Sequence, residues 1–171
     1  MAIVKSLRGF TPIFGSNCFL ADNAVVVGEV KMGDNCTVWF NAVVRGDVHS
    51  ITIGDNTNIQ DGAIIHCTYQ KARTIIGSNV SIAHQAVVHG CTIEDNVLVG
   101  MGAIIMDDAV IGTNSVIAAG AIVLPGTKVA PGSIYAGIPA KRVKDIGDEM
   151  RAVIERTAKN YPMYAEWYKE G

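Results

Sequence analysis

Aromatic residues are scarce in this chain of 171 residues, where Phe, Trp and Tyr together make up 6%. Hydrophobic residues nevertheless reach 49%, and there are 18 glycines. A chain that is rich in small aliphatic residues and glycine, but poor in rings, favours many tight turns around a narrow core. The hydrophobic content also excludes a disordered chain, which buries too little apolar surface to fold.

The sequence has no surplus of charge of one sign, because 14 Lys and Arg oppose 16 Asp and Glu. A protein that binds nucleic acid through its phosphates needs a basic surplus, so no nucleic-acid partner is expected. No secretory signal is visible, since Lys5 and Arg8 precede any apolar run of useful length. The longest uncharged stretch, 109–127, contains glycine, proline and asparagine at regular spacing, which indicates turns and not a membrane helix.

The chain also has no C-x-x-C pair among its four cysteines, which are Cys18, Cys36, Cys67 and Cys91. Such a pattern predicts free thiols in a reducing compartment. Without a signal sequence or a membrane segment, the sequence therefore predicts a cytoplasmic protein with no membrane partner.

A six-residue repeat fills most of the chain. Large apolar residues, nearly all of them Val, Ile, Leu or Met, recur at every sixth position from Phe14 to Tyr135. The series has insertions after Val44 and near 70–74, and one residue is skipped before Ile93. Four positions after nearly all of these apolar residues comes a small residue: Ala, Cys, Ser, Thr or Val. This alternation predicts a coiled parallel β-helix, in which the aliphatic side chain fills the core and the small residue lies at a corner. Gly-Asp-Asn and Gly-Ser-Asn triplets supply residues that accept turn geometry.

The pattern resembles the hexapeptide-repeat family, whose triangular coils contain three hexads per turn and are left-handed. The resemblance implies an all-β fold, a left-handed parallel β-helix of hexapeptide repeats over residues 1–140. Grouped in threes, the leading positions define coils at 14/20/26, 32/38/44, 53/59/65, 76/82/88, 93/99/105 and 111/117/123, with a partial coil at 129/135.

The last part of the chain, 141–171, has a different pattern. Apolar residues recur at helical spacing from Ile146 to Tyr161, and Pro162 follows. The spacing predicts a C-terminal α-helix over about 146–160, with Pro162 ending it. An amphipathic helix beside a β-helix is expected to pack along its outside or against a neighbouring subunit.

This grouping assigns three of the four histidines to positions in the predicted coils. His66 and His89 are each the second residue of the third hexad in consecutive coils, so they stack about 4.8 Å apart. Two such rings can share one metal ion through bonds of about 2.0–2.1 Å. His84 lies on a different face and cannot reach that ion within one chain. A neighbouring subunit in a homotrimer can supply it, which predicts a metal site at each subunit interface.

Two polar residues lie one coil earlier, at the positions equivalent to His66 and His84. We call each set of equivalent positions in successive coils a column. Arg45 precedes His66, and Asp61 precedes His84. If the two columns face each other across the trimer interface, Arg45 is expected to pair with Asp61 of the partner subunit.

The chain also resembles the gamma-class carbonic anhydrases, over nearly its whole length. The resemblance is carried by VVRGD (43–47), NIQDGAIIH (58–66), IAHQAVVHG (82–90) and GIPAKRV (137–143). The last motif also occurs in hexapeptide acyltransferases.

This second resemblance implies specific roles, carried over position by position. It makes zinc ligands of His66, His84 and His89, and it gives Gln60 the task of orienting a metal-bound hydroxide. It places three further polar residues beside the site at the subunit interface: Arg45, Asp47 and Asp61.

One departure from the family concerns proton transfer. The best-studied type carries one glutamate after the Arg-x-Asp motif and another in an acidic loop after the first ligand. Here those places contain Val48 and the loop 67–73, which has no carboxylate. His49, next to the motif, is a substitute to be considered.

The leading hypothesis is a zinc-dependent carbonic anhydrase that hydrates CO2 to bicarbonate, with Fe2+ or Co2+ as other metals that suit three nitrogens. A second hypothesis is a hexapeptide acyltransferase or acyl-CoA thioesterase. A phosphorylated carrier could then bind to basic residues of the loop and of the C-terminal part: Lys71, Arg73, Lys141, Arg142 and Lys144. A third is a metal-stabilised trimer with little activity.

Overall fold

The computed structural model describes residues 1–168, which form a parallel β-solenoid of about seven turns followed by one helix. This confirms the fold class expected from the repeat. In chain order the strands β1 to β20 are Ile3–Lys5, Ile13–Phe14, Phe19–Leu20, Val25–Met32, Thr37–Val38, Val43–Ile53, Asn58–Ile59, Ile64–His66, Thr74–Ile76, Ser81–Ile82, Val87–His89, Thr92–Ile93, Leu98–Val99, Ile104–Ile105, Val110–Ile111, Val116–Ile117, Ile122–Val123, Lys128–Val129, Ser133–Ala136 and Lys141–Asp145.

The strand register reproduces the grouping in threes. On the face that we call the third, Val44 pairs with both Val26 and Ile65, and Val88 pairs with both Ile65 and Ile105. The equivalent columns on the first and second faces start at Phe14 and Leu20. From Val26 to Val129 each inward aliphatic residue is almost fully buried, so one narrow core runs along the solenoid.

The corners contain the small residues and the turn residues that the sequence predicts. Alanines fill one corner column with no exposed surface, among them Ala24, Ala42 and Ala63. At another corner, Asn35 and Asn56 adopt φ angles of 55° and 52°, in the left-handed region that asparagine tolerates. The side chain of Asn35 donates to that of Asn56 at 3.3 Å, which ties one coil to the next.

The third face presents an apolar surface outward. Its outward residues are, in stacking order, Val25, Val43, Ile64, Val87, Ile104 and Ile122. Ile64 is 44% exposed, and the C-terminal helix has its main contacts with strands of another face. A continuous apolar strip of this kind marks a surface that is suited to association.

The helix α1, Asp148–Trp167, packs on the second face, where it contacts β5, β7 and β10. It continues past Pro162, so the expected end near residue 160 is wrong. Proline removes one backbone hydrogen bond but keeps a helical φ angle. Tyr161 and Tyr168, on either side, pack edge-on against Trp39 with ring centroids 5.5 Å apart, which holds the last turns in place.

The segment before the helix differs from the expectation too. Lys141–Asp145 is strand β20, which pairs antiparallel with β19 and extends the second face. Residues 169–171 of the predicted helical segment lie outside the described part. Within residues 1–168, no helix combines the length and the apolar character of a membrane span.

Candidate metal centre

His66 and His89 lie side by side at the end of the third face. They are register partners on β8 and β11, as the repeat predicts. Nδ1 of His66 is 3.1 Å from Nε2 of His89, and both rings are partly buried. The stacking of coils thus brings two imidazole nitrogens to within hydrogen-bond distance of each other.

A carboxylate accepts a hydrogen bond from the far side of the His66 ring. Nε2 of His66 donates to Oδ1 of Asp47 at 2.9 Å, and Arg45 forms an ion pair with Oδ2 of the same carboxylate. Burial raises the pKa of Asp47, but the hydrogen bonds from His66 and Arg45 outweigh that effect and leave the pKa below its usual range. Asp47 therefore stays charged and fixes the orientation of the His66 ring.

A second carboxylate, which the sequence reasoning missed, holds the His89 ring. Nδ1 of His89 donates to Oδ1 of Asp107 at 2.6 Å, and the hydroxyl of Thr68 donates to Oδ2 at 2.6 Å. Burial raises the pKa of Asp107, while the hydrogen bonds from Thr68 and His89 lower it further than burial raises it. The signal for this residue in the sequence is its position. Asp107 comes two residues after the inward Ile105, in the coil that follows the coil of His89.

The donor set fits a metal ion. With each ring neutral and its N–H directed at a carboxylate, the two nitrogens that face each other are both lone-pair acceptors. Two acceptors 3.1 Å apart repel unless a cation lies between them. Their separation is shorter than two Zn–N bonds of about 2.0–2.1 Å, so both nitrogens can reach one ion. The carboxylates behind the rings are the partners that metal-binding imidazoles usually have.

The remaining predicted residues lie at a different corner. His84 is in the turn between β10 and β11, and its Nδ1 is 2.9 Å from Oδ2 of Asp61. Gln60 follows β7, is 3% exposed, and donates from Nε2 to Asn58 at 2.9 Å. Gln85 N donates to the carbonyl oxygen of Asp61, which shows that Asp61 lies one coil before His84, as expected.

The seven predicted residues thus form two separate groups. The first, which we call the His66 half-site, also includes the missed aspartate: Arg45, Asp47, His66, His89 and Asp107. The second, the His84 half-site, consists of Gln60, Asp61 and His84. Among residues 1–168, no three His, Cys, Asp or Glu side chains come close enough to hold one ion. Each group on its own is therefore incomplete as a metal site.

The apolar third face lies between the two half-sites. The His84 half-site precedes its strands in each coil, and the His66 half-site follows them. Beside His89 the surface contains a cavity of about 420 Å³, lined mainly by apolar side chains such as Val87, Ile104 and Met106. A subunit that packs on this face would cover both groups.

The two places where the best-studied family type carries glutamates are here Val48 in strand β6 and the loop 67–73. The loop after His66 closes on itself, with Thr68 N bonded to the carbonyl of Ala72 at 3.0 Å. Gln70 N reaches the carbonyl of Val48 at 3.4 Å, so the loop is tied to β6. The ring of His49 accepts at Nδ1 from Ser50 N at 2.8 Å, so one of its two ring nitrogens is bound to the backbone of the next residue.

Comparison with known proteins agrees with the repeat and shows the family. The profile of the family described as "Bacterial transferase hexapeptide (six repeats)" matches residues 11–46 and 90–125. A protein of Geobacillus kaustophilus named "Carbonic anhydrase" is 41% identical over 167 residues, which is 98% of this chain and 91% of that protein. The chain belongs to the gamma carbonic anhydrase family. The region that matches this relative spans 98% of the chain.

Other members of the family and related structures differ in length and in name. "Gamma carbonic anhydrase 2, mitochondrial" of Arabidopsis thaliana is 38% identical over 88% of this chain, which spans only 56% of that longer relative. A crystal structure of a hexapeptide transferase family protein from Anaplasma phagocytophilum superimposes with a TM-score of 0.93. It is 37% identical, with coverage of 97% of this chain and 98% of that one. The names of these relatives thus point to two different activities.

Proposed function

We propose that the protein is a zinc-dependent carbonic anhydrase that hydrates CO2 to bicarbonate at sites between the subunits of a homotrimer. Membership of the gamma carbonic anhydrase family supports the reaction and its small substrate. The observation that carries the metal is the pair of ring nitrogens, 3.1 Å apart, each backed by a carboxylate on the opposite side of its ring.

The division of the site supports the proposed trimer. One chain supplies two ligand nitrogens in the His66 half-site, and His84 lies at the opposite edge of the third face. A head-to-tail contact, with the His66 half-site of one subunit against the His84 half-site of the next, closes into a ring when three subunits join. Each interface then contains one complete set of three imidazoles. The apolar third face supplies the surface that such a contact buries.

In this proposal, each side chain has a defined task. His66, His89 and the partner subunit's His84 hold the ion, and Asp47 and Asp107 keep two of the rings oriented. Zinc with three histidine ligands and one open position supplies a water whose pKa is lowered to about 7. The Gln60 amide donates to Asn58, which itself donates to Ser81 at 2.8 Å, so the orientation of the Gln60 amide is fixed.

The direct test is CO2 hydration by stopped flow on zinc-loaded protein. We expect hydration above that of His66→Ala protein treated with the same metal, because that variant lacks one ligand. Loading with Co2+ and with Fe2+ in parallel compares the other metals that suit three nitrogens. Equal rates for the wild type and the variant with every metal would refute the activity.

Acyl transfer is the second candidate, and the transferase name of the structurally similar Anaplasma protein favours it. Lys71 lines the cavity beside His89, which gives that cavity one cationic group for a phosphorylated carrier. On the exposed strand β20, however, Arg142 is paired with Asp145. Release of free thiol from acetyl-CoA in the presence of amine acceptors, or of water alone, tests transferase and thioesterase activity separately.

A metal-stabilised trimer with little activity is the third reading. It predicts zinc binding and a chelator-sensitive trimer with neither CO2 hydration nor thiol release.

We also propose a cytoplasmic location for the protein. The four cysteines, all of them free thiols, support a reducing compartment.

A further inference from the structure

Asp107 connects the loop after His66 to the His89 ring. One carboxylate oxygen accepts from Nδ1 of His89 at 2.6 Å, and the other accepts from the hydroxyl of Thr68 at 2.6 Å. We infer that Asp107 is a positioning residue for the metal centre: it fixes the tautomer and angle of His89, and Thr68 holds Asp107 in turn. This inference depends on the proposed metal function of His66 and His89.

Tautomer choice is the physical reason that the contact matters. A neutral imidazole carries one N–H, and a carboxylate at Nδ1 keeps that hydrogen away from Nε2. Nε2 of His89 then faces Nδ1 of His66 as a lone pair. Without Asp107, the His89 hydrogen can move to Nε2 and donate to His66. Such a histidine–histidine hydrogen bond occupies both nitrogens and competes with the ion.

The chain makes room for this contact at Gly90. A Cβ at this residue would overlap Oδ1 of Asp107, so a side chain there would push the carboxylate away from the ring. The absence of a side chain at Gly90 thus allows a carboxylate from the next coil to reach back to His89.

The loop 67–73 gives the second support. Its turn is closed by Thr68 and Ala72, and Gln70 N anchors it to the Val48 carbonyl. Thr74, just beyond, accepts from Gly90 N at 3.0 Å. Because the loop is fixed on both sides, its Thr68 hydroxyl has a defined position against Asp107. The loop that lacks the family's acidic residue therefore has a different task here, which is to hold a carboxylate supplied from another coil.

The test compares Asp107→Asn with Asp108→Asn, which removes the same charge from the adjacent, exposed residue. Zinc affinity is measured by chelator competition. We expect Asp107→Asn to weaken zinc binding about 10- to 100-fold, the usual cost of losing such a partner. Thr68→Val should weaken it by a smaller factor, and Asp108→Asn should bind as the wild type does. Equal affinity in all four proteins would overturn the inference.

A second readout needs no metal. Long-range 15N–1H NMR on the metal-free protein reports which His89 nitrogen carries the hydrogen. We expect the Nδ1–H form in the wild type and in Asp108→Asn, and a gain of the Nε2–H form in Asp107→Ala. An unchanged tautomer in Asp107→Ala would refute the positioning role. Failure of the wild type to bind zinc would instead refute the proposed function, while the tautomer measurement would still decide the role of Asp107.

Discussion

The Nδ1 atom of His66 and the Nε2 atom of His89 face each other at 3.1 Å across two neighbouring coils of the solenoid. This geometry arises from the 23-residue separation of the two histidines, which spans one full coil including the loop after His66. Each ring donates to an aspartate on its far side, so the facing atoms are left as acceptors. The fold therefore brings two acceptor nitrogens together, and His84 lies at the opposite edge of the same face.

The apolar third face should be the subunit interface. We expect light scattering to give a mass near three times 18.1 kDa. Ile64→Asp should dissociate the assembly, because an unpaired carboxylate in a desolvated interface is strongly unfavourable. Ile75→Asp is the matched control, since Ile75 is similarly exposed but lies on the first face. Chelation should weaken the trimer as well, because the metal joins two chains. A monomeric wild type at micromolar concentration would contradict the interface.

Arg45 and the partner subunit's Asp61 should be coupled in trimer formation. Within one chain Arg45 pairs with Asp47, and Asp61 pairs with His84, so the contact across the interface stays a prediction. A guanidinium has five donors and can bind both carboxylates. We expect each single alanine variant to weaken the trimer, and the double variant to cost less than the sum by about 0.5–3 kcal/mol. Strict additivity in a double-mutant cycle would show that the two residues do not touch.

Cys18 should be the most reactive thiol of the four. Interaction with the neighbouring Cys36 thiol lowers the pKa of Cys18 despite the opposing effect of burial, whereas burial raises the pKa of Cys91 to about 12. The thiolate is the nucleophile, so alkylation of Cys18 by iodoacetamide should increase with pH with a midpoint below that of an ordinary thiol. Peptide mapping by mass spectrometry measures the rate at each cysteine.

The control for this thiol prediction is Cys36→Ala, which removes the neighbouring thiol. The Cys18 midpoint should then move upward, towards the range of an ordinary thiol. Alkylation of all four cysteines at one rate would contradict the assignment.

The fold was predictable because one period governs every coil. Aliphatic residues such as Val44, Ile65 and Val88 can occupy only the interior of a triangular solenoid, and their register follows from counting. The stacking of His66 and His89 follows from the same count. The end of α1 was not predictable from Pro162, because the contacts of Tyr161 and Tyr168 with Trp39 are made between parts of the chain that are far apart.

The partners of the histidines were only partly predictable. Asp47 belongs to a recognisable motif, but its bond to His66 depends on how β6 turns the corner. Asp107 reaches His89 only because Gly90 leaves space and Thr68 holds the second oxygen. Such contacts depend on side-chain directions at a corner, which a repeat pattern does not specify.

The central claim is that each metal site takes ligands from two chains, and mixed trimers test it most directly. We expect His66→Ala and His84→Ala homotrimers each to lose zinc, as measured by metal analysis after dialysis, although the two residues lie at different corners. His49→Ala, which changes a histidine outside both half-sites, should keep its zinc and is the control.

The decisive measurement is the zinc content after the His66→Ala and His84→Ala chains are unfolded, mixed in equal amounts and refolded together. A mixed trimer contains one interface at which the His66 half-site and the His84 half-site are both intact, so the mixture should regain about 0.75 zinc per trimer. The wild type carried through the same procedure should bind about three. Mixed trimers that form, as shown by mass, but bind no more zinc than the parent variants would mean that the ligands come from one chain, and would contradict the account.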